Sequence, residues 1–167
     1  MYTLSQDNYK EVAEKVMKGS RYTAHAICAF KFMLEAIHTP VSVEDSYVTT
    51  NIEGLTSGLF QKLRGDGDSY YLGFVDLHEG LTAIASGFAE EQFEDTRMFV
   101  LDATGEFINR INGDYVIKQT GSGHSFMMEP QLFLEESEAK SRLPFNNVTH
   151  VPVSIGDSHA EMLFLSE

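Results

Sequence analysis

Two pairs of strand-like segments, each joined by a short turn rich in Gly and Asp, constrain the fold of this chain more than any other feature. The first pair is LFQKLRG and YYLGFVDL, which are joined through Asp66, Gly67 and Asp68. The second pair is NVTHVPVSI and HAEMLFLSE, which are joined by GDS. Two strands that a tight turn connects run antiparallel. The sequence therefore predicts two antiparallel hairpins.

Three segments carry apolar residues at helical spacing. In the first, 23–38, the apolar side chains recur at steps of three and four residues, and Pro40 stops the pattern. The second is HEGLTAIASGFAEEQF, which an acidic linker at 90–95 follows. The third runs from about 96 to 112, where Asn112 and Gly113 form a turn signal. Helices on one side of an antiparallel sheet define the α+β class, so we predict three main helices packed on a mostly antiparallel sheet.

Residues 1–20 have a helical pattern of their own. Tyr9, Val12, Val16 and Met17 fall at helical spacing among charged residues, after a polar cap. We interpret residues 1–20 as an N-terminal helical extension and residues 21–167 as the main domain.

Length, charge and composition exclude several classes of partner and site. A chain of 167 residues with 43% hydrophobic residues is typical of a single globular domain. Its net charge of −13 provides no basic surface for a phosphate backbone, so we expect no nucleic-acid partner. The sequence shows neither a leader pattern nor a membrane-length apolar run, so we expect a cytoplasmic protein. Its six histidines have no metal-ligand spacing, and Cys28 lies among apolar residues, so we expect no metal site and a buried thiol.

The most informative stretch is MFVLDATGEFINRINGDYV. On a helix, one face of this stretch is polar, and we call it the signature face: Asp102, Glu106, Asn109 and Gly113. An apolar set, expected to be buried, lies on another face: Leu101, Ile108 and Ile111. An acid and an amide are unusual on a merely solvated face, and Gly105 beside them costs about 1 kcal/mol of helix propensity relative to Ala. The plainer interpretation is that the two acids are solvated near the start of a helix and that Asn112 and Gly113 cap its end.

The pattern D-x3-E-x2-N-x3-G of the signature face, followed later by Pro130, resembles the signature helix of the CheC/CheX family of bacterial chemotaxis phosphatases. The flanking segments are similar too: a strand pair like YYLGFVDL, a helix like GLTAIASGFAEE, a strand around the proline like MMEPQLFL, and a last hairpin. Pro130 itself predicts an edge position, a bulge or an interruption in its strand. The resemblance covers residues 23–165 and implies a CheC-like fold.

The resemblance implies that the chain hydrolyses the aspartyl-phosphate of a CheY-like response regulator. Carried over residue by residue, Asn109 would orient the attacking water and Glu106 would engage a lysine of the regulator. Four further residues would contact the partner: Asp102, Gly105, Gly113 and Pro130. No cofactor of the chain's own is implied, and Mg²⁺ is expected on the receiver domain. A homodimer, formed away from the signature face, is also expected.

The number of motif copies distinguishes the CheC type from the CheX type. CheC-type members carry the motif twice, whereas the earlier helix here offers Lys31, Glu35 and His38 at the same spacing, with His in place of Asn. The chain therefore resembles the single-site CheX type.

Two other hypotheses stay open beside the phosphatase. A non-catalytic adaptor of the same fold, binding a receiver domain or a flagellar-switch protein, is the second hypothesis. An unrelated α+β domain that matches by chance is the third.

Overall fold

Nine strands and four helices form the part of the chain that the computed structural model describes, residues 1–50, 57–89, 97–135 and 146–166. In chain order they are β1 Tyr2–Thr3, α1 Tyr9–Met17, α2 Thr23–Ala36, β2 Val41–Val43, β3 Tyr47–Thr49, β4 Gly58–Gly65, β5 Tyr70–His78, α3 Gly80–Ala89, α4 Arg97–Gly121, β6 Phe126–Met128, β7 Leu132–Leu134, β8 Asn147–Ile155 and β9 Ser158–Ser166. The acidic linker at 90–95 lies outside the described residues.

All the strands join one sheet, in the order β1-β2-β8-β9-β5-β4-β6, with β3 also on β8 and β7 also on β4. Every ladder between these strands is antiparallel. The predicted hairpins β4-β5 and β8-β9 are confirmed, and β5 pairs with β9 to join them. Gly67 and Gly156 occupy the turns with φ of +76° and +58°, a conformation that glycine adopts without steric cost.

The helices pack on one face of this sheet. Side chains alternate between the two faces along a strand, and in β5 Leu72 and Phe74 belong to the same core cluster as the buried residues of all four helices. On the opposite face, Phe60, Val75 and Leu163 belong to a second, smaller cluster. No helix in the described ranges is both long and apolar enough to cross a membrane.

The prediction of three helices on the sheet is wrong, because four pack there. The additional helix is α1, whose apolar stripe of Val12, Ala13, Val16 and Met17 is buried in the main core. It packs against α2, and β1 just before it pairs with β2. Residues 1–20 therefore share both the sheet and the core of the remaining chain.

Helix α4 continues well past the predicted end at residue 112. Asn112 does not cap the helix, because its side chain is buried and finds hydrogen-bond partners inside the protein. The glycine-rich GSG at 121–123 ends the helix instead, and Gly123 has a φ of +88°. The added turns give α4 25 residues, so the signature face lies in a continuous helix rather than at its end.

The strand around Pro130 is interrupted, as predicted. Strands β6 and β7 both pair with β4 at the sheet edge, and residues 129–131 lie between them. Pro130 has no N–H to donate to a ladder. This interruption lies beside the middle of β4, opposite Gln61 and Lys62.

Candidate functional site

The signature face is accessible along the middle of α4. Asp102 and Glu106 are exposed and Asn109 is half-buried, whereas Ile108 and Ile111 on the other side of the helix are fully buried. Leu101, which we expected to be buried, is half-buried because it lines an open depression between α4 and β7. The helix thus presents an acid, an acid and an amide at successive turns.

Glu106 already has a cationic partner within its own helix. Its carboxylate lies 3.2 Å from Nε of Arg110, one turn further along. Both side chains are more than half exposed, at 51% for Glu106 and 60% for Arg110. An exposed pair of this kind contributes roughly 0–1 kcal/mol, so Glu106 can exchange Arg110 for another cation at little cost.

Asn109 contacts the sheet beneath it. Its Oδ1 accepts a hydrogen bond of 3.1 Å from Nε2 of Gln61, a residue of β4 that is only 1% exposed. The same Nε2 also donates to the backbone carbonyl of Glu129, at 2.8 Å. One edge of the Asn109 amide is therefore anchored, while the rest of this side chain lies toward the surface.

A chain of buried polar groups continues behind Gln61. Nδ2 of Asn112 donates to Oε1 of Gln61 at 2.7 Å, and Oδ1 of Asn112 lies 2.7 Å from Nε2 of His25 on α2. Nδ1 of His25 lies 2.8 Å from the hydroxyl of Tyr70 on β5. We call Gln61, Asn112, His25 and Tyr70 the buried polar chain.

Burial decides the charge of His25. The imidazole is completely enclosed, and this desolvation lowers its pKa to about 3, although the hydrogen bond to Asn112 acts in the opposite direction. His25 is therefore neutral at physiological pH. The ring also stacks on Tyr115 of α4, with ring centres 4.1 Å apart, which ties α2 to α4 beneath the signature face.

The other residues expected at the partner surface lie around this face. The carbonyl of Gly105 accepts a hydrogen bond from Nε2 of Gln131, and a Cβ on Gly105 would meet that side chain at an ordinary 3.8 Å. A Cβ on Gly113 would meet nothing within 4 Å. Pro130 is exposed beside Gln131. Neither glycine is therefore required by close packing within the chain.

An open depression of about 320 Å³ lies between α4 and the edge strand β7. Asp102, Glu106, Gln131 and Phe133 are among its lining residues. Asp102 and Glu106 of the signature face therefore also line this depression. The described ranges contain no group of three or more His, Cys, Asp or Glu side chains placed to hold a metal ion.

Sequence reasoning missed the buried polar chain. Gln61 lies in a predicted strand, His25 in a predicted helix and Asn112 at a predicted turn, so nothing in the local sequence links the three residues. The usable signal was that Gln61 and His25 are polar residues at positions whose neighbours are core residues. Buried polar groups need partners, but which four segments supply them depends on the tertiary fold.

The fold is that of CheX and CheC-like chemotaxis proteins, as the signature predicted. CheX of Borrelia burgdorferi, solved as a CheX–CheY–BeF3–Mg²⁺ complex, matches with a TM-score of 0.71 and 16% identity over 89% of this chain and 99% of that chain. A CheC-like superfamily protein from Shewanella sp. PV-4 matches with a TM-score of 0.68 and 12% identity over 85% and 94%. FliY of Thermotoga maritima matches with a TM-score of 0.58 and 11% identity over 98% and 91%. No protein-family model and no curated protein matches the sequence.

Proposed function

We propose that the chain is a phosphatase that hydrolyses the aspartyl-phosphate of a CheY-like receiver domain. The observation that carries the proposal is the juxtaposition of an accessible acid, Glu106, and an anchored amide, Asn109, on the exposed face of α4. The fold supports it, since the CheX of Borrelia burgdorferi with the same fold was solved together with CheY. Such an activity would place the protein in the cytoplasm, with its receiver.

The chemistry needs positioning more than proton transfer. The water oxygen attacks phosphorus, the bond between phosphorus and the aspartate oxygen breaks, and its electron pair remains on the carboxylate. Because that carboxylate is a stable anion, no acid is required to protonate it, and both protons of the water can leave on the phosphate as H2PO4⁻. In phosphoryl transfer the catalyst mainly positions groups and stabilises charge, and a neutral amide such as Asn109 does so without repelling the phosphoryl group.

Glu106 is proposed to bind a lysine of the receiver. A carboxylate enclosed at a protein interface must be paired with a cation, because its desolvation is otherwise costly. In the free protein Arg110 fills that role at the surface, and docking would replace or supplement it. Mg²⁺ is proposed to reside on the receiver, as part of the substrate.

The remaining signature residues are proposed to shape the contact surface. Asp102 lines the depression next to Glu106, and Gly113, with open space above it, allows a partner to approach the helix closely. The Gly105 carbonyl accepts a hydrogen bond from the Gln131 side chain, and the exposed Pro130 directly precedes Gln131 in the chain. We also propose that the protein forms a homodimer away from this face, a state that sedimentation at micromolar concentration would measure.

The direct test is to incubate the purified chain with each receiver domain of its host after phosphorylation with acetyl phosphate. We expect it to shorten the lifetime of the phosphorylated form of at least one receiver, with release of an equal amount of inorganic phosphate. Unchanged lifetimes for every receiver would contradict the proposal.

An adaptor without catalytic activity is the second candidate function. The likeness to FliY bears on it only in that this fold also occurs in a protein that is not named CheX or CheC-like. In that case the chain would bind a receiver or a flagellar-switch protein while the lifetime of the phosphorylated receiver stays the same. Binding and lifetime, measured on the same receivers, separate the two candidates.

A further inference from the structure

We propose that Gln61 is a positioning residue that decides which end of the Asn109 amide faces the partner, and that the rest of the buried polar chain holds Gln61 in that orientation. The inference rests on the proposed function for its catalytic consequence. Its structural content concerns the free protein alone. No residue of the buried polar chain belongs to the sequence signature.

The orientation of the Gln61 side-chain amide follows from the backbone carbonyl of Glu129, which can accept a hydrogen bond but cannot donate one. The backbone carbonyl of Glu129 lies 2.8 Å from one terminal atom of the Gln61 side chain. A carbonyl has no hydrogen to donate, so that terminal atom must be the amide nitrogen. The same nitrogen lies 3.1 Å from Asn109, and it therefore donates there as well. Asn109 must meet it with Oδ1.

The interruption at Pro130 makes this reference group available. Between β6 and β7 the N–H of Glu129 donates to the carbonyl of Lys62, 3.0 Å away. The carbonyl of Glu129 accepts a hydrogen bond from the Gln61 side chain instead of continuing the ladder. The ladder stops here because the next residue, Pro130, breaks the strand. The proline thus has a role in orienting a side chain as well as a place at the surface.

The same reasoning sets every other group of the buried polar chain. With its nitrogen toward Glu129, Gln61 presents Oε1 to Asn112, so Asn112 must donate with Nδ2 and present Oδ1 to His25. A neutral imidazole has one donor and one acceptor. Nε2 of His25 is then the donor, and Nδ1 accepts from the hydroxyl of Tyr70. Burial raises the pKa of Tyr70 and keeps this hydroxyl protonated.

The outcome is a preoriented amide at the surface. Because Oδ1 of Asn109 faces Gln61, its NH2 group must point away from the sheet, toward a docked receiver. A free asparagine could rotate its amide and present either end. Fixing it in advance removes that freedom before the partner binds, and catalysis depends on such positioning.

The kinetic test is Gln61→Met, which retains the length of the side chain and removes both donors. We expect kcat for dephosphorylation to fall on the order of 10- to 100-fold, since the Asn109 amide is no longer fixed, with KM for the phosphorylated receiver changed less than about twofold. In an Asn109→Ala background the same substitution should have no further effect on kcat. Equal effects of Gln61→Met in both backgrounds would show that it acts through general damage to the fold.

A matched control is His150→Asn on β8. His150 is also a buried polar residue, bonded to Glu161 and Thr49, but its partners lie on β9 and β3 rather than on α4. It should lower the melting temperature without lowering kcat. A loss of kcat in this variant similar to that of Gln61→Met would contradict a specific role for Gln61.

An independent measurement uses the wild-type chain without any receiver. Hydrogen exchange of side-chain amides, followed by NMR, should show protected NH2 protons on Gln61 and rapidly exchanging NH2 protons on Asn109. The reverse, protection of the Asn109 NH2 group, would mean that its amide is turned inward and would overturn the proposal. If the exchange pattern is as expected but no receiver is dephosphorylated, the orientation stands and the proposed phosphatase activity fails.

Discussion

Helices α2 and α4 carry the same spacing of charged and polar residues, but only α4 turns it into one face. On α2 the three positions are Lys31, Glu35 and His38, and on α4 they are Asp102, Glu106 and Asn109. Helix α2 ends at Ala36, and Ile37 after it has an extended backbone. His38 therefore lies beyond the helix, whereas Asn109 lies in the middle of α4.

The two helices also differ in what lies beneath them. On α2 the inward polar residue is His25, which faces away from the Lys31–Glu35 surface pair and into the core. On α4 the amide at the surface, Asn109, and the amide in the core, Asn112, both contact Gln61 of the sheet. A motif spacing therefore defines a candidate site only where the helix continues through it and the sheet supplies a polar partner. Helix α2 contributes His25 to the buried polar chain, and α4 provides the signature face.

The largest expected effect is on stability, and it tests the buried polar chain beneath the signature face. Asn112→Ala removes the groups that pair with Nε2 of His25 and Oε1 of Gln61, and each unpaired buried group costs about 1–3 kcal/mol. We expect the free energy of unfolding, measured by urea denaturation, to fall by roughly 3 kcal/mol. Gln119→Ala, further along the same helix, should change it by less than about 0.5 kcal/mol. Equal effects of the two substitutions would contradict the role of Asn112.

A pH effect tests the contribution of α2. Because His25 has a pKa of about 3 when folded and an ordinary value of 6.5 when unfolded, the unfolded chain binds a proton that the folded chain rejects. The contribution of His25 to the free energy of unfolding is therefore fully present above pH 6.5 and is lost as the pH falls toward 3. Between pH 6.5 and 5 the contribution of His25 to the free energy of unfolding should decrease by about 2 kcal/mol. A flat profile over this range would show that His25 can be protonated in the folded state.

The next effect compares the two exposed acids directly. Glu106→Ala should weaken binding to the phosphorylated receiver by about tenfold, since it removes the charge proposed to meet the receiver's lysine. Glu35→Ala is the matched control, because Glu35 is also an exposed acid with a cation one turn away, Lys31 at 4.0 Å. Titration of a receiver held in its phosphorylated form by beryllofluoride measures both. Equal affinities of the two variants for the receiver would show that Glu106 does not contact it.

The smallest effect concerns Gly113. A methyl group there meets nothing within 4 Å, so Gly113→Ala should stabilise the free protein by up to about 1 kcal/mol through helix propensity. If a partner approaches the helix closely at this point, the same variant should bind the receiver less tightly. Higher stability with unchanged affinity would show that Gly113 is not part of the contact.

Sequence patterns predicted the fold better than they predicted what supports the site. The two hairpins followed from their turns, because Gly67 and Gly156 adopt a backbone conformation that other residues avoid. The end of α4 did not follow, because the local turn signal at Asn112 and Gly113 was outweighed by hydrogen bonds from Asn112 to residues far away in the sequence.

The signature face could be found from spacing alone, since one helix supplies all of it. The buried polar chain could not, because its members come from α2, β4, β5 and α4. Nothing in the local sequence links these residues, and only the packing of the four elements brings them within 3 Å of one another. The role of Pro130 was likewise visible only beside Gln61, where its interruption leaves the Glu129 carbonyl available.

The most direct test of the account is single-turnover dephosphorylation of a receiver by the wild-type chain, Asn109→Ala and His38→Ala. We expect Asn109→Ala to lose on the order of 10²-fold in rate while its affinity for the receiver and its fold stay nearly unchanged. His38→Ala, at the matching position after α2, should retain the wild-type rate. A wild-type rate for Asn109→Ala, or an equal loss in both variants, would contradict the assignment of catalysis to α4.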